Sequence, residues 1–180
     1  NKNPTLTKPP MVGRIFKQTG LQVLFLLLCN RDLVNKPYRT IAAEAGVALG
    51  MVDRIMRELR ELGFLEEMGT RRNRKARLVK KEALVERWIT GFAEQLHPKL
   101  VHGRYKGDAA WWNNAVLDPE IAQWGGEIAA AKLTGHLKPQ DGIIYVDKHK
   151  PNDILRKYKL RKDPLGEVTL LYRFWDPGVI

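Results

Sequence analysis

Residues 40–63 read TIAAEAGVALGMVDRIMRELRELG, and the pattern predicts two helices joined by a tight turn. The first helix begins at Thr40, whose hydroxyl suits an N-cap. Gly46 ends it, because glycine adopts the left-handed conformation of such a turn at little cost. The second helix runs from about 49 to 62 and is closed by Gly63. Its apolar positions mark one face, which we expect to be buried: Val52, Ile55, Met56, Leu59 and Leu62.

The segments on either side of this pair complete a larger pattern. An apolar helix is predicted upstream, over residues 13–31. Downstream, residues 64–68 predict a strand, 69–75 a loop and 76–80 a returning strand. The order helix, helix, tight turn, helix and two-stranded wing is typical of the winged helix-turn-helix.

The remaining segments predict a second, smaller unit of mixed structure. Helices are expected at 83–96, where His97-Pro98 stops the helix, and at 124–134 and 152–158; strands are expected at 142–146 and 168–175. We therefore predict an α+β chain in four parts: a flexible arm (1–12), a winged helix DNA-binding domain (13–82), a connecting helix (83–100) and a C-terminal α+β domain (101–180).

The charge is unevenly distributed along the chain. The formal net charge is +11, and residues 1–100 hold 19 basic and 10 acidic side chains against 12 and 10 in the remainder. This asymmetry predicts an anionic polymer, double-stranded DNA, as the partner of the first half. The longest apolar run, residues 23–29, is far too short to span a bilayer. The single cysteine, Cys29, excludes an internal disulfide, so we expect a cytoplasmic protein without a membrane partner.

The second helix of the pair supplies the candidate contacts to bases. Arg54 is the leading candidate, because a guanidinium can bind guanine O6 and N7 together. Met51 suits a thymine methyl group, and Gly50 allows close approach of the backbone. Arg57 is also expected to face outward, where it or Arg54 must pair with Asp53 to prevent repulsion of phosphate. Thr40 is a further candidate for a phosphate contact.

The predicted wing is the most basic segment. Seven basic residues and no acid lie between residues 69 and 81, so their mutual repulsion favours binding to phosphate. The candidate DNA-binding residues of the wing are Arg71, Arg72, Arg74, Lys75 and Arg77. Lys80 and Lys81, beside the next helix, are weaker candidates.

No catalytic, metal-binding or cofactor-binding residues are predicted. Asp141 and Asp147 suggest a metal-dependent nuclease, but that pattern needs an acid, one residue and then lysine, which neither these aspartates nor Glu167 provides. The four histidines are scattered, and no glycine-rich phosphate loop follows a strand. Cys29 has no histidine nearby in the sequence to activate it.

Four segments together resemble the AbiEi-type antitoxin and transcriptional-regulator family of type IV toxin–antitoxin systems. They are Gly103-Arg104-Tyr105, WGGEIAAAKLTGHLKP (124–139), IIYV (143–146) and LLYRFWDP (170–177), and with the predicted winged helix the resemblance covers most of residues 13–177. It implies a bacterial repressor that binds the promoter of its own operon. It also implies a C-terminal domain that neutralises a nucleotidyltransferase toxin without a stable complex.

Two other classes of function remain open from the sequence. A nucleic-acid-processing enzyme could use the winged helix to position its substrate, and an acid cluster converging on the second sheet would favour that function. A protein-interaction module could present an aromatic anchor from the Trp-rich second unit.

Overall fold

The computed structural model describes residues 13–70, 74–108, 111–135 and 139–179. Helices and strands are both abundant, so the chain has the predicted α+β class. Its described residues divide into two compact units, one extending to Leu96 together with Val179, and the other comprising His97–Gly178. The predicted arm, residues 1–12, lies outside the described residues.

The described part of the first unit contains four helices and a hairpin. Short 3-10 turns cover Arg14–Phe16 and Leu33–Asn35, on either side of α1. The elements are α1 (Gln18–Cys29), α2 (Tyr38–Ala45), α3 (Leu49–Glu61), β1 (Leu65–Met68), β2 (Lys75–Leu78) and α4 (Lys81–Gly91), followed by a π-helical turn over Phe92–Leu96. Their buried side chains, such as Leu24, Ile55 and Leu84, form the core of this unit.

The first helix starts later than predicted. Residues 14–16 form a separate turn, which Glu58 holds by accepting the N–H groups of Arg14 at 3.0 Å and Ile15 at 2.8 Å. Gly20 makes room for that turn, because a Cβ there would overlap the carbonyl group of Ile15. A long-range contact therefore overrides the local preference for one continuous helix.

The start of α2 also differs from the prediction. The helix begins at Tyr38 with Pro37 at the N-cap position, and the Thr40 N–H donates to the Pro37 carbonyl at 2.8 Å. Assigning Thr40 as the N-cap was therefore wrong; it is the third helical residue. Gly46 ends the helix as expected, with φ of +63°.

The helix α3 agrees with the prediction except at its end. Val52, Ile55, Met56 and Leu59 are fully buried. Leu62, expected on the same face, is 42% exposed. The helix ends at Glu61, and Gly63, with φ of +69°, then turns the chain in a new direction.

The hairpin is an antiparallel pair with Leu65 opposite Leu78 and Met68 opposite Lys75. Lys75, predicted in the loop, is the first residue of β2. After the hairpin, α4 packs on α1: the Trp88 indole N–H donates to the Leu21 carbonyl at 2.8 Å, and its ring stacks on Phe25 at 5.6 Å.

The prediction that His97-Pro98 stops the helix was wrong. Those two residues open a short helix, α5 (His97–Leu100), in the second unit. Pro98 lies in the first turn of α5, where proline is tolerated.

The second unit is built on a five-stranded sheet of order β4-β5-β7-β3-β6. Its strands are β3 (Val101–Lys106), β4 (Ala122–Gly125), β5 (Gly142–Val146), β6 (Arg161–Lys162) and β7 (Val168–Tyr172), with helices α6 (Gly126–Thr134) and α7 (Pro151–Lys157). The neighbours β5 and β7 run parallel, and the other described strand pairs of this sheet run antiparallel. The core includes Ala122, Ile144, Val146, Val168 and Leu170.

Two boundaries in this unit depart from the predictions. Trp124 and Gly125 belong to β4 and not to the helix, and a Cβ at Gly125 would lie 2.6 Å from the Tyr145 ring across the strand pair. The last strand ends at Tyr172, after which the Arg173 guanidinium donates to the carbonyls of Pro119 at 2.7 Å and Glu120 at 2.8 Å.

Candidate nucleic-acid interface

The solvent-facing side of α3 carries the residues that were expected to face outward. Gly50, Arg54 and Arg57 are exposed, while Met51 is half-buried. The opposite face of the helix is fully buried, so its packing fixes which side chains face solvent.

Arg54 and Arg57, two of the three arginines of α3, differ in their partners. Arg57 forms an ion pair with Asp53 one turn earlier, as the sequence required. Within the described parts of the chain, Arg54 has no ion pair. Its guanidinium therefore keeps all its N–H donors available, whereas that of Arg57 is partly neutralised.

A concave surface lies where α2 and α3 begin. It is lined by Pro37, Tyr38, Arg39, Leu49, Gly50 and Asp53. The N-cap residues of the two helices, Pro37 and Ala48, provide no side-chain cap. The Thr40 and Met51 N–H groups donate to the carbonyls of Pro37 and Ala48, so the N–H groups of the first two residues of each helix are the ones available to an anion. The sequence analysis did not predict Arg39 as a DNA-binding residue. Its position could have indicated that role, because it is a cation in the first turn of α2, next to the helix predicted to contact bases.

The hairpin carries more negative charge than the sequence led us to expect. Arg74 pairs with Glu67 at 3.0 Å, and Arg77 pairs with Glu66 at 3.5 Å. The expectation of unscreened like charges was wrong for these two, because β1 supplies a carboxylate across the strand pair. Lys75 is exposed and has no ion pair to any described residue, and Arg71 and Arg72 lie outside the described residues.

Glu67 also connects the hairpin to the helices. Its second carboxylate oxygen accepts a hydrogen bond from Arg60 Nε at 3.2 Å, and Arg60 Nη2 donates to the Tyr38 hydroxyl at 3.0 Å. The hydrogen bond with Tyr38 is the main reason that the pKa of Arg60 is raised. The chain Tyr38–Arg60–Glu67–Arg74 thus joins α2, α3 and the hairpin.

Asn35 provides a second connection that was not predicted from the sequence. Its side-chain amide exchanges two hydrogen bonds with the backbone of Ala76 in β2. Nothing in the sequence around Asn35 indicates this contact, because its partner lies 41 residues away.

The two lysines after the hairpin occupy different environments. Lys80 is exposed and adopts a left-handed conformation, with φ of +51°, at the N-cap position of α4. Lys81 is the half-buried first residue of that helix.

The acidic residues of the second unit do not converge. Asp141 and Asp147 stand at opposite ends of β5, which places their backbones about 20 Å apart. Asp141 accepts a hydrogen bond from Arg104 at 3.4 Å, and Asp147 accepts one from the His149 N–H at 2.8 Å. Over the described ranges, no three His, Cys, Asp or Glu side chains are grouped as metal ligands would be.

The Gly103-Arg104-Tyr105 motif has structural roles. Arg104 Nε donates to the Gly166 carbonyl at 3.0 Å, and the Tyr105 ring folds back over Gly103 to place its hydroxyl 2.8 Å from His102 Nδ1. Burial, and secondarily the charge of Lys162, lowers the pKa of His102. Burial likewise raises the pKa of Tyr145 to about 12.

Cys29 is the last residue of α1 and is exposed, although it ends the apolar run of residues 23–29. Partial desolvation raises the pKa of its thiol, which disfavours the reactive thiolate. None of the helices in the described residues is both long and apolar enough to cross a membrane.

Comparison with known families identifies one match. Residues 77–179, more than half of the chain, match the family model described as the transcriptional regulator and AbiEi antitoxin of type IV toxin–antitoxin systems. The match begins within β2 and includes the whole second unit, so α2 and α3 precede it. No curated protein matches the chain, and no solved structure does.

Proposed function

We propose that this chain, which belongs to the AbiEi antitoxin family of transcriptional regulators, represses its own operon by binding a specific site in double-stranded DNA. Family membership supports regulation and antitoxin activity. The exposed N-terminal half of α3, with Arg54 lacking an ion pair to any described residue, is the observation that supports sequence-specific DNA as the ligand.

We assign the DNA-binding role to a winged helix-turn-helix domain over residues 13–82. In this proposal α3 enters the major groove, Arg54 binds a guanine, and Met51 contacts a thymine methyl. Gly50 lets the helix backbone approach the DNA. Thr40 lies in the first turn of α2, close to the open N–H groups that suit a phosphate.

The hairpin acts as the wing in this proposal. Arg71, Arg72, Arg74, Lys75 and Arg77 contact phosphates or a narrow minor groove on one side of the α3 site. Arg57 contributes a phosphate contact, weakened by its pairing with Asp53.

We assign the antitoxin role to the α+β domain, residues 101–180. Its partner in this proposal is a nucleotidyltransferase toxin, which it counteracts without forming a stable complex. The protein acts in the cytoplasm and uses neither cofactor nor metal in this role.

The full-length protein and fluorescently labelled duplexes that tile the region upstream of its gene test the DNA-binding proposal. We expect one or more duplexes to bind at least about 1,000-fold more tightly than a shuffled duplex at physiological salt. Equal affinity for every duplex would overturn sequence-specific repression.

A further inference from the structure

The carboxylate of Glu67 is shared between two arginines from different elements. One oxygen accepts from Arg60 of α3 at 3.2 Å, and the other accepts from Arg74 of the hairpin at 3.0 Å. Arg60 is itself held by the Tyr38 hydroxyl at 3.0 Å. Arg74 is therefore tied, through one carboxylate, to the two helices that frame the concave surface.

Arg74 is the most exposed of the three side chains in these ion pairs. The Arg74 side chain is 61% exposed, but Glu67 and Arg60 are only 34% and 38% exposed. Glu67 uses one N–H of the Arg74 guanidinium, which leaves its other donors available to a ligand. Restricting a long flexible side chain before binding lowers the entropy that it loses on binding.

The neighbouring residue Glu66 provides a natural contrast. It pairs with Arg77 directly opposite it, at 3.5 Å, and both side chains are more than half exposed. Because successive strand residues point to opposite faces, Glu66 lies on the other face of the hairpin from Glu67. It has the same charge and lies one residue away, but its ion pair stays within the hairpin and does not reach the helices.

We infer that Glu67 is a positioning residue that sets the specificity of the DNA site by presenting Arg74 in one fixed orientation. This inference rests on the proposed DNA-binding function. On the specific duplex, the orientation matches a phosphate or groove edge, so the tie strengthens binding. On other duplexes the fixed orientation of Arg74 does not match a phosphate or groove edge, and the negative charge of Glu67 only repels the DNA.

The experiment compares Glu67→Gln, Glu67→Asp and Glu66→Gln in the full-length protein, on the specific duplex and on a shuffled duplex. Glu67→Gln should lower the ratio of specific to non-specific affinity about fivefold. Glu67→Asp keeps the charge but shortens the reach, and should lower the ratio in the same direction. Glu66→Gln should tighten both complexes by the same factor and leave the ratio unchanged.

If Glu67→Gln and Glu66→Gln have the same effect, or if Glu67→Asp behaves like wild type, Glu67 is only a countercharge and the inference is wrong. Urea unfolding of each variant identifies any that fail to fold. If Glu67→Gln does not fold, Glu67→Asp provides the test in its place.

A measurement without DNA separates this inference from the proposed function. Nitrogen-15 relaxation of the arginine Nε–H groups should show Arg74 more mobile in Glu67→Gln than in wild type or Glu66→Gln. Unchanged mobility would overturn the positioning role even if the protein binds DNA. If Arg74 becomes more mobile in Glu67→Gln but the wild-type protein prefers no duplex, Glu67 positions Arg74 and the proposed DNA-binding function is the part that is wrong.

Discussion

Asn35 and Ala76 pair through two hydrogen bonds that attach the hairpin to the helices. The Asn35 Nδ2 donates to the Ala76 carbonyl at 2.9 Å, and its Oδ1 accepts the Ala76 N–H at 2.8 Å. The amide thus occupies the edge of β2 that does not pair with β1, as a third strand would. The orientation of the hairpin therefore depends on the Asn35 side chain, which follows α1, as well as on the bond between Glu67 and Arg60.

Replacing Asn35 tests this attachment. Asn35→Ala should reduce the free energy of unfolding by about 1 kcal/mol, because two partly solvated hydrogen bonds are lost. It should also weaken DNA binding, since the hairpin loses its fixed orientation. Urea denaturation and binding titrations measure the two effects. Asn114→Ala, at an exposed position in the second unit, is the control and should change neither; equal effects of both would exclude a specific role for Asn35.

Arg54 and Arg57 of α3 should respond differently to truncation. Arg54→Ala should cost about 1–3 kcal/mol on the specific duplex and much less on a shuffled one, because a base contact is lost. Arg57→Ala is the matched control one turn later, and its loss should be smaller and similar on both duplexes because Asp53 already neutralises it. Equal losses of affinity for both duplexes in Arg54→Ala would reduce Arg54 to a phosphate contact.

Local signals predicted the elements of the first unit well. Gly46 and Gly63 were recognisable because both require positive φ, and the apolar face of α3 was recognisable because its period matches a helix. The predictions for Leu62 and Thr40 were wrong because both residues lie at helix ends. There, a shift of the helix boundary by one or two residues changes whether a side chain is buried or caps the helix.

Long-range contacts explain what the sequence could not predict. The start of α1 depends on Glu58, and the attachment of the hairpin depends on Asn35, more than 40 residues away in each case. The candidate site was predicted by residue type, but the pairings of Arg74 and Arg77 were missed because charges were counted only within residues 69–81. Their partners precede that window, on the opposite strand.

Gly50 should separate folding from DNA binding. It lies in α3, and a Cβ added to it would have nothing within 4 Å, so Gly50→Ala should stabilise the fold by about 0.5–1 kcal/mol. The same methyl group should weaken DNA binding if the backbone approaches the duplex closely. Gly46→Ala, equally free of contacts but at φ of +63°, should instead destabilise the fold by about 1–2 kcal/mol. Unfolding titrations check both signs, and unchanged DNA affinity in Gly50→Ala would argue against close approach at this residue.

The second unit should lose stability in mild acid through His102. Because the pKa of His102 is lowered in the folded state, the unfolded chain takes up a proton first as the pH falls below about 6.5. The stabilisation is therefore present above that pH and is lost as the pH falls towards the folded pKa. His102→Gln should flatten the dependence of unfolding free energy on pH between about 7 and 5.5, measured by urea titrations. An identical slope in wild type and variant would contradict this assignment.

The salt dependence of binding should report how many cations of the hairpin meet phosphate. Arg71→Ala, Arg72→Ala and Arg74→Ala combined should flatten the plot of log affinity against log salt by roughly 2–3 units, at about 0.9 per phosphate contact. Arg74 should contribute less than a full contact, since it is already paired with Glu67. Because the triple variant also loses that ion pair, we do not expect it to be more stable than wild type. The matched control, Lys148→Ala, Lys150→Ala and Arg156→Ala, removes three exposed charges from the second unit. If both triple variants flatten the slope equally, the effect comes from the overall charge of the protein. If the hairpin variant leaves the slope unchanged, the hairpin does not contact phosphate, and the basic excess of residues 1–100 has another role.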